Sequence, residues 1–141
     1  MIPDRFRQLH ILCGAILAGP VLMNLVLAVL LVTGALEPVA IPRPVVLGLF
    51  AVGVALLASS AAVKGAVFKR IGAAGFGGDI HKVFAAYQTS NLVAFGMREA
   101  AGMIGFVLAL LTTDPWWSWG LGGAAVVAMI YDWPKQAHLG M

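Results

Sequence analysis

Apolar residues fall along the chain in four long blocks rather than alternating singly, and the blocks define the expected elements. The first, Leu9 to Val32, runs without an ionised side chain; His10 and Asn24 are its conspicuous polar positions. About 20 apolar residues in helical form cross the ~30 Å hydrocarbon core of a bilayer, so this block predicts a tilted transmembrane helix. Arg5 and Arg7 ahead of it resemble the basic start of a secretory signal. A signal's apolar stretch is only ~7–15 residues long, so the block reads as a retained span. The second block, Val45 to Val63, holds no charge. Pro38, Pro42 and Pro44 mark the connection before it, because proline lacks a backbone donor and ends helices. So short a connection predicts an antiparallel helical hairpin.

Between Lys82 and Asp114 only Arg98 and Glu99 are charged. Ala85 to Asn91 is half polar and reads as headgroup-level helix, with the span itself at Leu92 to Leu111. The fourth block, Trp116 to Trp133, is short and rich in glycine (Gly120, Gly122, Gly123). Trp116, Trp117 and Trp119 crowd one end, and Tyr131 and Trp133 the other. Aromatic residues at both ends of an apolar run form the interfacial belt of a span. The expected fold is thus an all-α bundle of four transmembrane helices in two antiparallel hairpins, forming a single domain over residues 1–141.

Charge sets the orientation. Arg5, Arg7, Lys64, Lys69, Arg70, Lys82 and Lys135 fall on one side of that arrangement and Arg43 alone on the other. The positive-inside rule then places both termini in the cytoplasm, with Ile71 to Gly78 as the sizeable cytoplasmic loop. Spans one and three share a direction, and when one is laid on the other, Val26, Leu27, Ala28 and Leu30 match Val107, Leu108, Ala109 and Leu111. Four apolar identities are close to chance in so biased a chain, so duplication of a hairpin stays a topological suggestion.

Composition agrees with the pattern. Hydrophobic residues make up 61% and charged residues 11%, against about 25% charged in soluble domains, and the mean hydropathy is +0.95. The net charge of +3 comes from scattered basic residues that offer no phosphate-tracking face, so nucleic acid is not an expected partner. The single cysteine, Cys13, excludes an internal disulfide and a cysteine metal cage.

Candidate chemistry centres on the intramembrane polar residues. A charge at mid-helix costs about 2.5–3.5 kcal/mol on insertion scales, so Arg98 and Glu99 must face a partner or a wet cavity. Adjacent residues point about 100° apart on a helix and cannot form an ideal pair with each other. Glu99 shares a stripe with Gln88, Asn91 or Leu92, Phe95, Gly102 and Phe106; Arg98 lies nearer Asn91, Ala94, Ala101 and Gly105. The more polar Glu99 stripe is expected to turn inward, with the carboxylate bonded to span one or four and Arg98 snorkelling toward the cytoplasm, to a headgroup or to the same carboxylate. Two roles compete for Glu99: a polar clamp between helices, or a proton- or ion-carrying carboxylate. Pro20 removes the backbone bond to Ile16 and, with Asn24 one turn on, predicts a kink in span one. His10, His81 and His138 fall at the cytoplasmic ends, too shallow for a bis-histidine haem inside the bundle. No metal or cofactor is expected. Small-residue pairs such as Gly14 with Ala18 and Ala101 with Gly105 allow close helix packing.

Several phrases carry a resemblance: Leu9-His10-Ile11 leading to Gly19, then Ala86-Tyr87-Gln88-Thr89, Arg98-Glu99, Gly105-Phe106-Val107, Leu111-Thr112 and Trp133-Pro134-Lys135. They resemble a family of uncharacterised small bacterial four-span inner-membrane proteins. The resemblance implies that fold and a multi-pass bacterial inner-membrane location, and brings no activity. In that family's pattern the arginine precedes the glutamate by several residues, whereas here the two adjoin. The mid-span carboxylate also looks like that of the rotary-ATPase proteolipid, but there it sits on the second helix of a hairpin facing a glycine-rich first helix. Here Glu99 lies on the first helix of its hairpin, the expected topology is inverted, and an adjacent arginine favours the ionised carboxylate.

The chain therefore reads as a structural or accessory membrane protein, a small subunit of a larger complex, held by the lipid bilayer and by other membrane subunits or copies of itself. The rival is a small oligomeric transporter or proton conductor using Glu99. An enzyme ranks third, since no catalytic grouping is legible. Single cysteines placed at Gly75 and Met141 are expected to label from the cytoplasmic side, and one at Pro42 from outside; a Pro42 probe that reacts only after the cytoplasm is opened overturns the orientation.

Overall fold

The computed structural model describes residues 2–72 and 77–139. It is all-helical: α1 (Ile2–Val32), α2 (Arg43–Gly72), α3 (Ile80–Thr112), α4 (Trp116–Tyr131) and a 3-10 turn, α5 (Gln136–Leu139). The first three are long and apolar enough to cross a membrane. With 16 residues, α4 is short; at 1.5 Å per residue it covers about 24 Å, less than the ~30 Å of a hydrocarbon core.

The helices outrun the apolar blocks. α1 begins well before Leu9, α2 continues past Lys64 through Lys69 and Arg70, and α3 takes in the whole polar lead from Ile80 to Asn91. The reason is local. Nothing between Val63 and Gly72 breaks a helix except Gly65, and α3 starts where Asp79, in extended backbone, accepts a hydrogen bond from the His81 amide at 2.9 Å. The expected loop from Ile71 to Gly78 lies partly outside the described residues, as do Gly75 and Met141; of its described part, Gly77 and Gly78 form a turn at positive φ. α3 ends at Thr113, held in the left-handed region at φ 56, and Pro115 leads directly into α4. α1 stays helical through Pro20.

α3 is the axis. It packs against α2, α4 and α1, whereas α2 and α4 touch each other only lightly. The core gathers Phe6, Leu9 and Cys13 of α1 with Phe84, Tyr87 and Phe95 of α3 and Met129 of α4. At the other end, the Val39 amide donates to the Leu111 carbonyl at 2.9 Å and ties the first connection to the end of α3. Small residues set the helix spacing there. A Cβ built on Gly105 would lie 2.6 Å from the Trp117 carbonyl oxygen and 2.8 Å from Leu121 Cβ, and one on Gly53 2.9 Å from Leu121 Cδ1. The Leu121 side chain thus fills a slot that glycines on α2 and α3 leave open. Pro20 packs on Gly102 in the same fashion. Close approach of backbones is what holds helices together where lipid removes the hydrophobic drive between them.

Gly105→Ala is expected to destabilise the bundle by about 1–3 kcal/mol, because the obstructing carbonyl is backbone and cannot swing away. Gly120, whose added Cβ meets nothing within 4 Å, is the control: Gly120→Ala should be neutral or slightly stabilising. Unfolding in mixed detergent micelles measures both, and equal losses would reject the packing account.

Candidate functional site

A cluster of polar groups gathers on Arg98 of α3, which is 4% exposed. Its Nε donates to Ser60 Oγ on α2 at 3.0 Å, one terminal nitrogen to the Ala128 carbonyl of α4 at 3.2 Å, and the other to Asp132 Oδ2 at 3.1 Å. The second oxygen of Asp132 accepts from Lys64 Nζ at 2.8 Å. One carboxylate therefore bridges two cations brought from α2 and α3 to the end of α4.

Each partner is placed by its helix. The carbonyl of Ala128 already receives the Asp132 amide that ends α4, and this last-turn oxygen has a free lone pair for the guanidinium. Ser60 turns its hydroxyl back on the Leu57 carbonyl at 2.8 Å and so presents an oxygen lone pair to Arg98. Charge-assisted bonds to three acceptors on two neighbouring helices are what make a buried guanidinium tolerable in an apolar bundle.

Beside the clamp, residues of α2, α3 and α4 line a cavity of about 490 Å³. Lys64, Arg98 and Asp132 border it, with Tyr87, Ser90 and His138 completing its polar lining. Ala61, Gly65, Phe68 and Ala128 supply apolar wall. The Tyr87 hydroxyl accepts from the Lys135 amide at 3.1 Å and lies 3.0 Å from His138 Nδ1. The same hydroxyl lies 3.5 Å from the Lys135 carbonyl, so its proton has two acceptors within reach and the His138 tautomer follows from which one takes it. The Lys64 ammonium also stands 6.0 Å from the centre of the Tyr87 ring.

The sequence-expected residues divide sharply. Arg98 is central, bound to neighbouring helices rather than snorkelling to a headgroup. Its stripe, with Asn91, Ala94, Ala101 and Gly105, is the buried face of α3. Glu99 falls at the edge of that face, half-buried. It packs on α1 so closely that a Cβ on Gly19 would lie 2.7 Å from its Oε1. The expectation that Glu99 is hydrogen-bonded to span one or four is corrected: the contact with span one exists, but no hydrogen bond or ion pair to the carboxylate is found among the described residues. Geometry gives the reason, since its neighbour across the gap is a glycine with no side-chain donor. Gln88 is likewise at the edge, partly buried. Asn91 is fully buried; its amide donates to the Tyr87 carbonyl at 2.8 Å, and its oxygen has no partner among the described residues. Asn24 donates to the Pro20 carbonyl at 2.8 Å and accepts from Ser118 Oγ at 2.8 Å, tying α1 to α4 beside Gly122.

Asp132, Lys64, Ser60, Tyr87 and His138 escaped the sequence reading as site residues. One signal was present: Asp132 is the acidic residue at the end of the fourth block, and Lys64 is the cation at the end of the second. Antiparallel hairpins place those ends at the same level. His10, by contrast, serves the fold, with Nε2 2.9 Å from the Pro134 carbonyl and its ring against Phe6 and Trp133.

No protein-family model, curated protein or solved structure matches the chain.

Because the Asp132 carboxylate bonds both cations, Asp132→Ala is expected to cost about 3 kcal/mol of stability, as for other broken buried pairs. Lys64→Ala, which leaves the Arg98–Asp132 bond in place, should cost nearer about 1 kcal/mol. Denaturation of the purified variants in micelles ranks them, and a Lys64 variant as damaged as the Asp132 variant would refute the hierarchy.

Proposed function

We propose that the protein is an integral component of a bacterial inner membrane, with four membrane-embedded helices and both termini in the cytoplasm, acting as a structural or accessory subunit of a larger membrane assembly. The basic asymmetry of the loops supports the orientation. The observation that carries the role is the division of surfaces. Arg98, Asp132, Lys64 and Ser60 bond to one another and hold α2, α3 and α4 together. Meanwhile α1 and α2 present long apolar faces outward, including Leu22, Val26 and Val29 on one and Leu47, Phe50 and Val52 on the other. Such faces take lipid or a further helix.

The test is photo-crosslinking from Val26 and Val52 in intact membranes, followed by purification in mild detergent. An accessory subunit should give a discrete crosslinked partner that co-purifies at fixed stoichiometry. Diffuse crosslinking to lipid from both positions, with the chain recovered alone, would remove this reading.

A second reading, an oligomeric transporter or proton conductor, is favoured by the carboxylate of Glu99, which rests on Gly19 without a hydrogen-bond partner among the described residues. Glu99→Gln separates the two. If the carboxylate carries protons, the variant should fold normally and lose proton flux in reconstituted vesicles. If its role is packing alone, flux should be absent or unchanged, because the amide occupies the same space.

A further inference from the structure

We propose that the cavity between α2 and α4 is a binding site for a phosphate-class oxyanion, supplied in the membrane by the headgroup of an anionic lipid. The proposal does not depend on the accessory role, since it concerns what the cavity's own donors recognise.

Charge is the first reason. Lys64 and Arg98 bring two positive charges to the cavity wall and Asp132 one negative. One positive charge is left uncompensated among the groups lining it, and an incoming anion balances it there. Donor geometry is the second. Arg98 is already engaged at all three of its nitrogens, but an ammonium has three N–H bonds and that of Lys64 is given one acceptor, Asp132. The Tyr87 hydroxyl and the His138 ring, 3.0 Å apart, add polar groups to the same cavity lining. An ammonium with N–H bonds to spare suits an oxyanion with several acceptor oxygens.

Size and placement favour a lipid as the carrier. A volume of about 490 Å³ lies within the ~300–1,000 Å³ of small-molecule sites. The polar lining is backed by apolar wall from Ala61, Gly65 and Phe68, which suits the glycerol and first methylenes of an amphiphile. Tyr131, 88% exposed, stands at the rim, as expected of an aromatic side chain at headgroup depth. Further along the same helices, α2 carries Lys69 and Arg70 and α3 begins near Lys82. These cations would draw anionic headgroups toward that end of the bundle.

The experiment embeds the full chain in nanodiscs of equal phosphatidylglycerol and phosphatidylcholine, releases it, and counts retained lipid by native mass spectrometry. The wild-type chain should keep one phosphatidylglycerol in preference to phosphatidylcholine. Lys64→Gln should weaken that retention about tenfold, the loss of one charge-assisted hydrogen bond. Because Lys64 also belongs to the clamp, Gly65→Glu is the second variant. An added Cβ there meets nothing within 4 Å, so the fold should survive while a carboxylate in the cavity repels the ligand. Inorganic phosphate forms the other arm, read as a rise in the unfolding temperature of the detergent-solubilised protein. Phosphate stabilisation that Gly65→Glu abolishes, without lipid retention, assigns the site to a free oxyanion and upholds its chemistry. Equal retention of the two lipids by the wild type together with no response to phosphate overturns the proposal. So does unchanged phosphatidylglycerol retention in a folded Gly65→Glu protein.

Discussion

A guanidinium cannot lose its proton to escape an apolar bundle, so burying one commits the surrounding helices to supply acceptors. Arg98 imposes that constraint at the middle of α3. Its acceptors come from α2 and from the last turn and end of α4, so the three helices must meet at one level and in one rotational setting. A shift of α4 by one turn would move Asp132 about 5.4 Å and break the bond. The clamp therefore fixes the register of the bundle, a specificity that non-directional contacts between aliphatic side chains cannot impose.

Much of the remaining structure accommodates that choice. Because the Arg98 stripe of α3 faces inward, the positions one and two turns away on the same face must be small. Ala94, Ala101 and Gly105 meet the requirement, and at Gly105 α4 approaches until Trp117 and Leu121 touch the α3 backbone. α1 is held by different means. Aromatic rings pack its start against α3, Pro20 seats on Gly102, and Asn24 bonds Ser118. It contributes nothing to the clamp and leaves much of its surface outward.

The cavity follows from the same arrangement. α2 and α4 are joined through α3 and through the Lys64–Asp132 bond more than by direct packing. Residues of both helices line the cavity beside that bond, and Tyr87 and His138 complete its polar lining. Structural support and the proposed oxyanion binding thus draw on one set of groups. Arg98 has an acceptor for each of its nitrogens, whereas Lys64 shares the single carboxylate of Asp132.

Four helices, their order and the apolar character of three of them were legible in the sequence by itself. Long uncharged runs admit few structures in lipid, and prolines and glycines punctuate the joints. The identity of Arg98 and Glu99 as the exceptional pair was equally plain, because charge inside such a run is costly and demands a partner or a wet cavity. Which of the two turned inward was decided only in three dimensions. The residues adjoin, their stripes overlap at Asn91, and polarity along α3 alone favoured the Glu99 face. The partners lay elsewhere: Ser60 and Lys64 come from α2, far earlier in the chain, and Asp132 from the end of α4. A buried cation takes the setting in which acceptors exist, and Glu99 was left facing Gly19, where no side-chain donor is available. Helical periodicity reports the faces of one helix; the choice among them belongs to the helices packed against it.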